Sequence, residues 1–77
     1  MVNLLSYIVK NIVNNPDEVE VTSEKDGNTN ILHVKVAEAD YGKVIGKNGK
    51  VAQSIRAIIR SASPNGEKYI VKIGDKN

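Results

Sequence analysis

Apolar residues open the chain at helical spacing. Val2, Leu5, Ile8, Val9, Ile12 and Val13 fall along one stripe, and Asn14-Asn15-Pro16 stops it, which predicts a first amphipathic helix. The period then changes to two. Val19 and Val21 alternate with polar residues as far as Asp26-Gly27-Asn28. Ile31 to Val36 alternates again, with Leu32, Val34 and Val36 on one face and His33 and Lys35 on the other. Two such runs about a glycine-containing turn predict a β-hairpin. Ala37 to Val44 reads as a short helix that ends at a glycine turn. A longer helix runs from Lys50 to about Ala62. Val51, Ile55, Ile58, Ile59 and Ala62 form its apolar stripe, Ala52 lies at the edge, and Gln53, Arg56 and Arg60 lie away from it. Ser63-Pro64-Asn65-Gly66 breaks this helix. Lys68 to Ile73 alternates as a last strand, with Tyr69, Val71 and Ile73 on one face.

The order α-β-β-α-α-β predicts an α+β domain, a three-stranded mixed sheet with its helices on one face. Two helices separate the second and third strands, so those strands run parallel, whereas the hairpin is antiparallel. With 77 residues, one domain is expected over 1–77, near the lower limit for an unaided core. Cysteine is absent, which excludes disulfides and thiolate-bound metal. The core falls to Val, Ile, Leu and Ala, because Phe and Trp are absent and Tyr occurs three times. The first residues lack a basic-then-apolar leader layout, and no apolar run approaches membrane-spanning length. A cytoplasmic protein with no membrane association is the expectation, with Gly74 to Asn77 as a frayed tail.

Charge sharpens this picture. From Tyr41 through Gly66 the chain carries Lys43, Lys47, Lys50, Arg56 and Arg60 and no acid, while the remainder holds six bases and nine acids. The modest net charge of +2 therefore conceals a strong local asymmetry of the kind that steers a polyanion. Within the basic segment stands Val44-Ile45-Gly46-Lys47-Asn48-Gly49-Lys50. A turn that feeds a helix start leaves backbone N–H groups facing outward. Glycine at both ends removes the Cβ atoms that would hold another backbone at a distance. The flanking lysines add charge for a phosphate.

Other chemistries fit poorly. Gly46-x-x-Gly49-Lys50-Val51 lacks the four intervening residues and the Ser or Thr of a nucleotide P-loop. His33 is the single histidine and projects from a strand beside Lys35. Asp17, Glu18 and Glu20 are spaced as loop charge rather than as a carboxylate pair or metal cage. No catalytic residue, metal or cofactor is implied, and the chain is not expected to be an enzyme.

With the glycine turn placed between two helices, the chain resembles a KH domain of the type II arrangement. Val44-Ile45-Gly46-Lys47-Asn48-Gly49 matches that family's Val/Ile-Ile-Gly-x-x-Gly pattern, Ile55 fits the apolar position of the following helix, and the resemblance covers essentially the whole chain. It implies a clamp in which Gly46, Lys47, Asn48 and Gly49 hold the backbone of about four single-stranded nucleotides. Val44 and Ile45 would form the apolar side of the base groove, and Lys43, Lys50, Arg56 and Arg60 would assist. The same resemblance, to small free-standing bacterial members, implies an RNA chaperone or post-transcriptional regulator. It further implies self-association, pairing with a larger KH-containing protein, and a link to cell shape and cell-wall regulation.

Two questions stay open in the residues themselves. A phosphate clamp alone cannot sense a 2′-hydroxyl, so single-stranded DNA is an alternative ligand. Tyr41 is the one aromatic in the basic segment, which either meets a base or covers the short helix, so weak affinity is expected from one copy. Ser54, Ala57 and Ser61 recur at i, i+3 and i+7 beside the apolar stripe. They form either an ordinary solvated face or a strip of small side chains for close helix–helix approach. The second reading makes the chain an interaction module or a homodimer, with two glycine turns on one particle.

Overall fold

The computed structural model of the protein describes residues 1–73. The element order is α1 (Val2–Lys10), β1 (Glu20–Asp26), β2 (Thr29–Lys35), α2 (Tyr41–Ile45), α3 (Lys50–Ala62) and β3 (Lys68–Ile73). Single 3-10 turns at Pro16–Glu18, Glu38–Asp40 and Lys47–Gly49 join them. The tail expected at Gly74 to Asn77 lies outside the described residues.

β2 is the central strand of a β1-β2-β3 sheet. It pairs antiparallel with β1, with Val21 opposite Val34, and parallel with β3, with Leu32 opposite Val71. The mixed sheet expected from the two-helix crossover is the one observed. Alternation decides its two faces. Leu32, Val34 and Val71 are buried, and Leu5 and Val9 from α1, Val44 from α2, and Ile55 and Ile59 from α3 pack with them in one cluster. The opposite face carries Thr22, Glu24, Ile31, His33, Ile70 and Lys72. On it His33 Nε2 lies 2.8 Å from Glu24 Oε1, one step along the diagonal from its direct partner Thr22.

Three elements depart from the pattern reading. α1 ends at Lys10 rather than running on through Val13. The Asn11 side chain turns back to donate from Nδ2 to the Tyr7 carbonyl at 2.7 Å, taking up an acceptor of the helix ladder. The Ile12 N–H meanwhile donates to Val9 in a tighter turn at 3.0 Å. Val13 is still buried, so the apolar stripe outlasts the helix that it marks. The helix expected over Ala37 to Val44 is split, with Glu38–Asp40 as a 3-10 turn and α2 beginning only at Tyr41. On α3 the buried residues are Ala52, Ile55 and Ile59. Ile58 is 45% exposed and Ala62 is exposed as well, so neither belongs to the core stripe in which the spacing placed them. At 100° per residue both stand to one side of a face centred on Ile55 and Ile59, and the sheet does not reach that far around.

Beneath α2 lies a buried carboxylate. Asp40 is 1% exposed and holds the loop after α1. Its Oδ1 accepts the Asn14 N–H at 3.3 Å, and its Oδ2 accepts both the Asn15 N–H at 3.0 Å and Asn15 Nδ2 at 3.1 Å. Burial alone would raise its pKa. The Asn15 side chain, the two backbone donors and the nearby Lys43 charge outweigh burial and hold the carboxyl below the ordinary aspartate value. Asp40 thus ties the end of α1 to the start of the helix that delivers the glycine turn.

Candidate nucleic-acid interface

The turn between α2 and α3 is built from unusual backbone. Gly46 ends α2 at φ 76°, ψ 172°, a region essentially confined to glycine. Asn48 takes φ 57°, ψ 26°, and Gly49 takes φ 75°, ψ 14°, two successive left-handed residues. The Gly46 N–H closes α2 onto the Gly42 carbonyl at 2.9 Å, and the Gly49 N–H closes the turn onto the Gly46 carbonyl at 3.1 Å. The two glycines serve different ends. A Cβ on Gly46 would stand 2.8 Å from both the backbone N and the Cβ of Val51, so the first turn of α3 packs directly on bare backbone. A Cβ on Gly49 would meet nothing within 4 Å, and its requirement is conformational alone.

Gly49 is the N-cap of α3, and no side chain caps that helix end. Its first N–H groups are left to water or to a ligand, with the positive end of the helix dipole behind them. Lys43, Lys47, Asn48 and Lys50 are exposed around the turn. No carboxylate among the described residues forms an ion pair with Lys47, Lys50, Arg56 or Arg60. The arrangement presents uncapped donors, bare backbone and unneutralised cations at one end of the molecule, as an incoming phosphate chain requires.

The expected site residues do not all share this surface. Val44 is fully buried in the core, so of the apolar pair only Ile45, 36% exposed, can face a base. The correction follows from helix geometry, since adjacent positions on α2 cannot both point inward. Arg56 lies one and a half turns along α3, where its Nε donates to the Val71 carbonyl of β3 at 3.2 Å. Arg60, a turn further on, lines a shallow depression of about 510 Å³ with Gln53, Arg56 and Ala57. Ser54, Ala57 and Ser61 are all exposed. Ala57, Ile58, Ser61 and Ala62 line a separate, mainly apolar depression of about 460 Å³.

A family model described as "KhpA/KhpB, KH domain" matches residues 2–73. The chain belongs to this KhpA/KhpB KH domain family. An RNA-binding protein KhpA of Clostridium acetobutylicum is 44% identical over 71 residues, covering 92% of this chain and 95% of that protein. The RNA-binding protein KhpA of Chlamydia caviae is 39% identical over 74 residues, covering 95% of each chain. The namesake from Treponema pallidum is 38% identical over 73 residues, covering 94% of this chain and 91% of that one. The α+β KH fold read from the residues is therefore the fold of the family. The KhpA/KhpB family is not a family of enzymes, in keeping with the absence of a catalytic constellation in the sequence reading. No helix among the described residues is long and apolar enough to cross a membrane.

Sequence reasoning missed Asp40 and Val51. Asp40 reads as one more acid near a helix start, and nothing nearby signals that Asn14 and Asn15 come back to it. Val51 could have been paired with Gly46 from the rule that a glycine without a Cβ admits a close neighbour, but spacing alone does not say which neighbour.

Proposed function

We propose that this protein binds single-stranded RNA by seating consecutive phosphates on the Gly46-Lys47-Asn48-Gly49 turn and the N-terminus of α3. Lys43 and Lys50 flank that contact, Ile45 lies against a base, and Arg56 and Arg60 continue the positive surface along α3. The observation that carries this reading is the uncapped start of α3 directly behind two left-handed residues, in a stretch of chain without an acid. The printed names of its relatives as RNA-binding proteins support it. In this reading the protein is a cytoplasmic RNA chaperone or post-transcriptional regulator. It works as a homodimer or with a larger KH-containing partner, and it bears on cell shape and cell-wall regulation. Unaltered morphology and wall composition in a deletion strain would argue against that last role.

The test replaces Lys47 and Asn48 together by Asp. Both residues are exposed, so the fold should be retained while repulsion replaces attraction. If the wild type neutralises about two to four phosphates, log affinity falls against log salt with a slope of roughly −1.4 to −2.8. The double variant should bind far more weakly and with a shallower slope. Equal affinity of the two folded proteins across a salt titration would remove the turn as the RNA site. Running the same titration with DNA of identical sequence separates the two nucleic acids.

A second reading, as a protein-interaction module, is favoured by one observation. Ile58 stands exposed among Ala57, Ser61 and Ala62, small neighbours that would let a second helix approach closely. The two readings combine if a dimer through this strip carries two glycine turns, since the second RNA contact then becomes intramolecular.

A further inference from the structure

Beyond the glycine turn, the far end of α3 carries a second concave surface. α3 has 13 residues, about 20 Å of helix, so this surface is well removed from Gly46 and Gly49. Arg60, Ser63, Asn65, Glu67, Lys68 and Tyr69 line an open depression of about 340 Å³, within the size range of small-ligand pockets. It adjoins the depression formed by Gln53, Arg56, Ala57 and Arg60, and Arg60 lines both. The two together form a path along one flank of α3 that starts beyond Lys50.

The chemistry of the lining suits one kind of ligand. Arg60 and Lys68 bring two cations from different elements, the last turn of α3 and the first residue of β3. Glu67 is fixed in place, its Oε1 accepting Asn30 Nδ2 at 3.3 Å and the Tyr69 hydroxyl at 3.2 Å. A carboxylate so held disfavours a bare anion but retains acceptor capacity for an amino group. The Tyr69 ring, half-buried in the lining, supplies an aromatic surface. A ligand that joins a phosphate to an aromatic ring bearing polar edges satisfies all four groups.

We infer that this depression holds a further nucleotide of the strand engaged at the glycine turn, its phosphate between Arg60 and Lys68 and its base against Tyr69. The inference rests on the proposed RNA binding and lengthens its footprint beyond the about four nucleotides of the turn. The backbone clamp sets where the strand enters, and the second depression sets how much strand is required.

The test compares a tetranucleotide with an octanucleotide of RNA on the wild type and on the Arg60→Gln/Lys68→Gln variant, each titrated with salt. Wild type should bind the octanucleotide with a salt slope steeper by about 0.7 to 1.4 than the tetranucleotide, one to two more phosphates neutralised. Extra registers on the longer strand raise affinity but leave the slope unchanged, so the slope is the deciding readout. In the variant the octanucleotide slope should fall to that of the tetranucleotide, with tetranucleotide affinity preserved. Equal slopes in wild type, or equal losses on both lengths, would overturn the inference while leaving the turn as the RNA site. Failure of wild type to bind either length would remove the turn reading and this one together. An independent check uses wild type alone: the amide resonances of Asn65 and Gly66 should move with the octanucleotide and stay in place with the tetranucleotide. Unmoved resonances under saturating octanucleotide would also overturn it.

Discussion

Gly46 and Gly49 look alike in the sequence and are not alike in the structure. Replacing Gly46 by Ala forces a Cβ against the Val51 backbone at a φ,ψ pair reserved for glycine, which should cost on the order of 3 kcal/mol. Gly49→Ala meets open space and carries only the left-handed penalty, about 1 to 2 kcal/mol. Urea melts of the two variants should therefore separate clearly, and equal midpoints would contradict the packing of α3 on Gly46. Asp40 makes a second residue-scale prediction. Its carboxyl takes a proton less readily in the folded chain than in the unfolded one. Its stabilisation is thus fully present above the ordinary aspartate range and is lost as pH falls through the lower, folded value. Asp40→Asn should lower the urea midpoint at neutral pH, and the gap to wild type should close on acidification. A gap that stays constant with pH would show that the clamp does not depend on charge. Neither Asp40 nor the contrast between the glycines was legible in the sequence, because both depend on which residues the fold returns to them.

Among the elements, α3 was the most legible and the most instructive in its error. Its boundaries, Lys50 to Ala62, follow directly from the apolar period and the breaker at Ser63-Pro64. The apolar pattern nevertheless describes a wider stripe than the sheet covers, and the surplus, Ile58 and Ala62, faces outward. Periodicity reports which positions are apolar and not which surface they meet. The strands were read correctly because alternation on β2 and β3 leaves one arrangement that buries Leu32, Val34 and Val71 together. α1 was read too long because Ile12 and Val13 remain apolar after the helix has ended. The exposed strip on α3 carries its own prediction. Ala57→Glu should shift the protein toward monomer in sedimentation without altering its melting transition, since Ala57 is exposed. Wild type and variant both monomeric would end the dimer reading, and an unchanged dimer would move the interface elsewhere.

At the scale of the whole molecule, charge and topology divide the labour. The acid-free stretch from α2 to the end of α3 occupies the helical layer, while β1 carries Glu20, Glu24 and Asp26 at the rim of the sheet. A polyanion approaching from a distance is therefore drawn to the helices and repelled from that rim. The position of the candidate site was legible to this extent, since the glycine turn and the basic run coincide in sequence. The second depression was not, because it forms only when β3 returns beside the end of α3. One contact in this layout has a bearing on how the protein survives in a crowded solution. β3 is an edge strand, and edge strands offer main-chain groups on which other chains can polymerise. The Arg56 side chain occupies the Val71 carbonyl on that edge, and the opposite edge, β1, is studded with charge. Arg56→Met keeps the length of the stem and removes the donor. It should raise light scattering and thioflavin fluorescence on prolonged incubation, and a variant as slow to aggregate as wild type would count against the idea. Arg56 then guards against fibrils as well as facing RNA, and a loss of binding in an Arg56 variant has to be separated from a loss of dispersed protein.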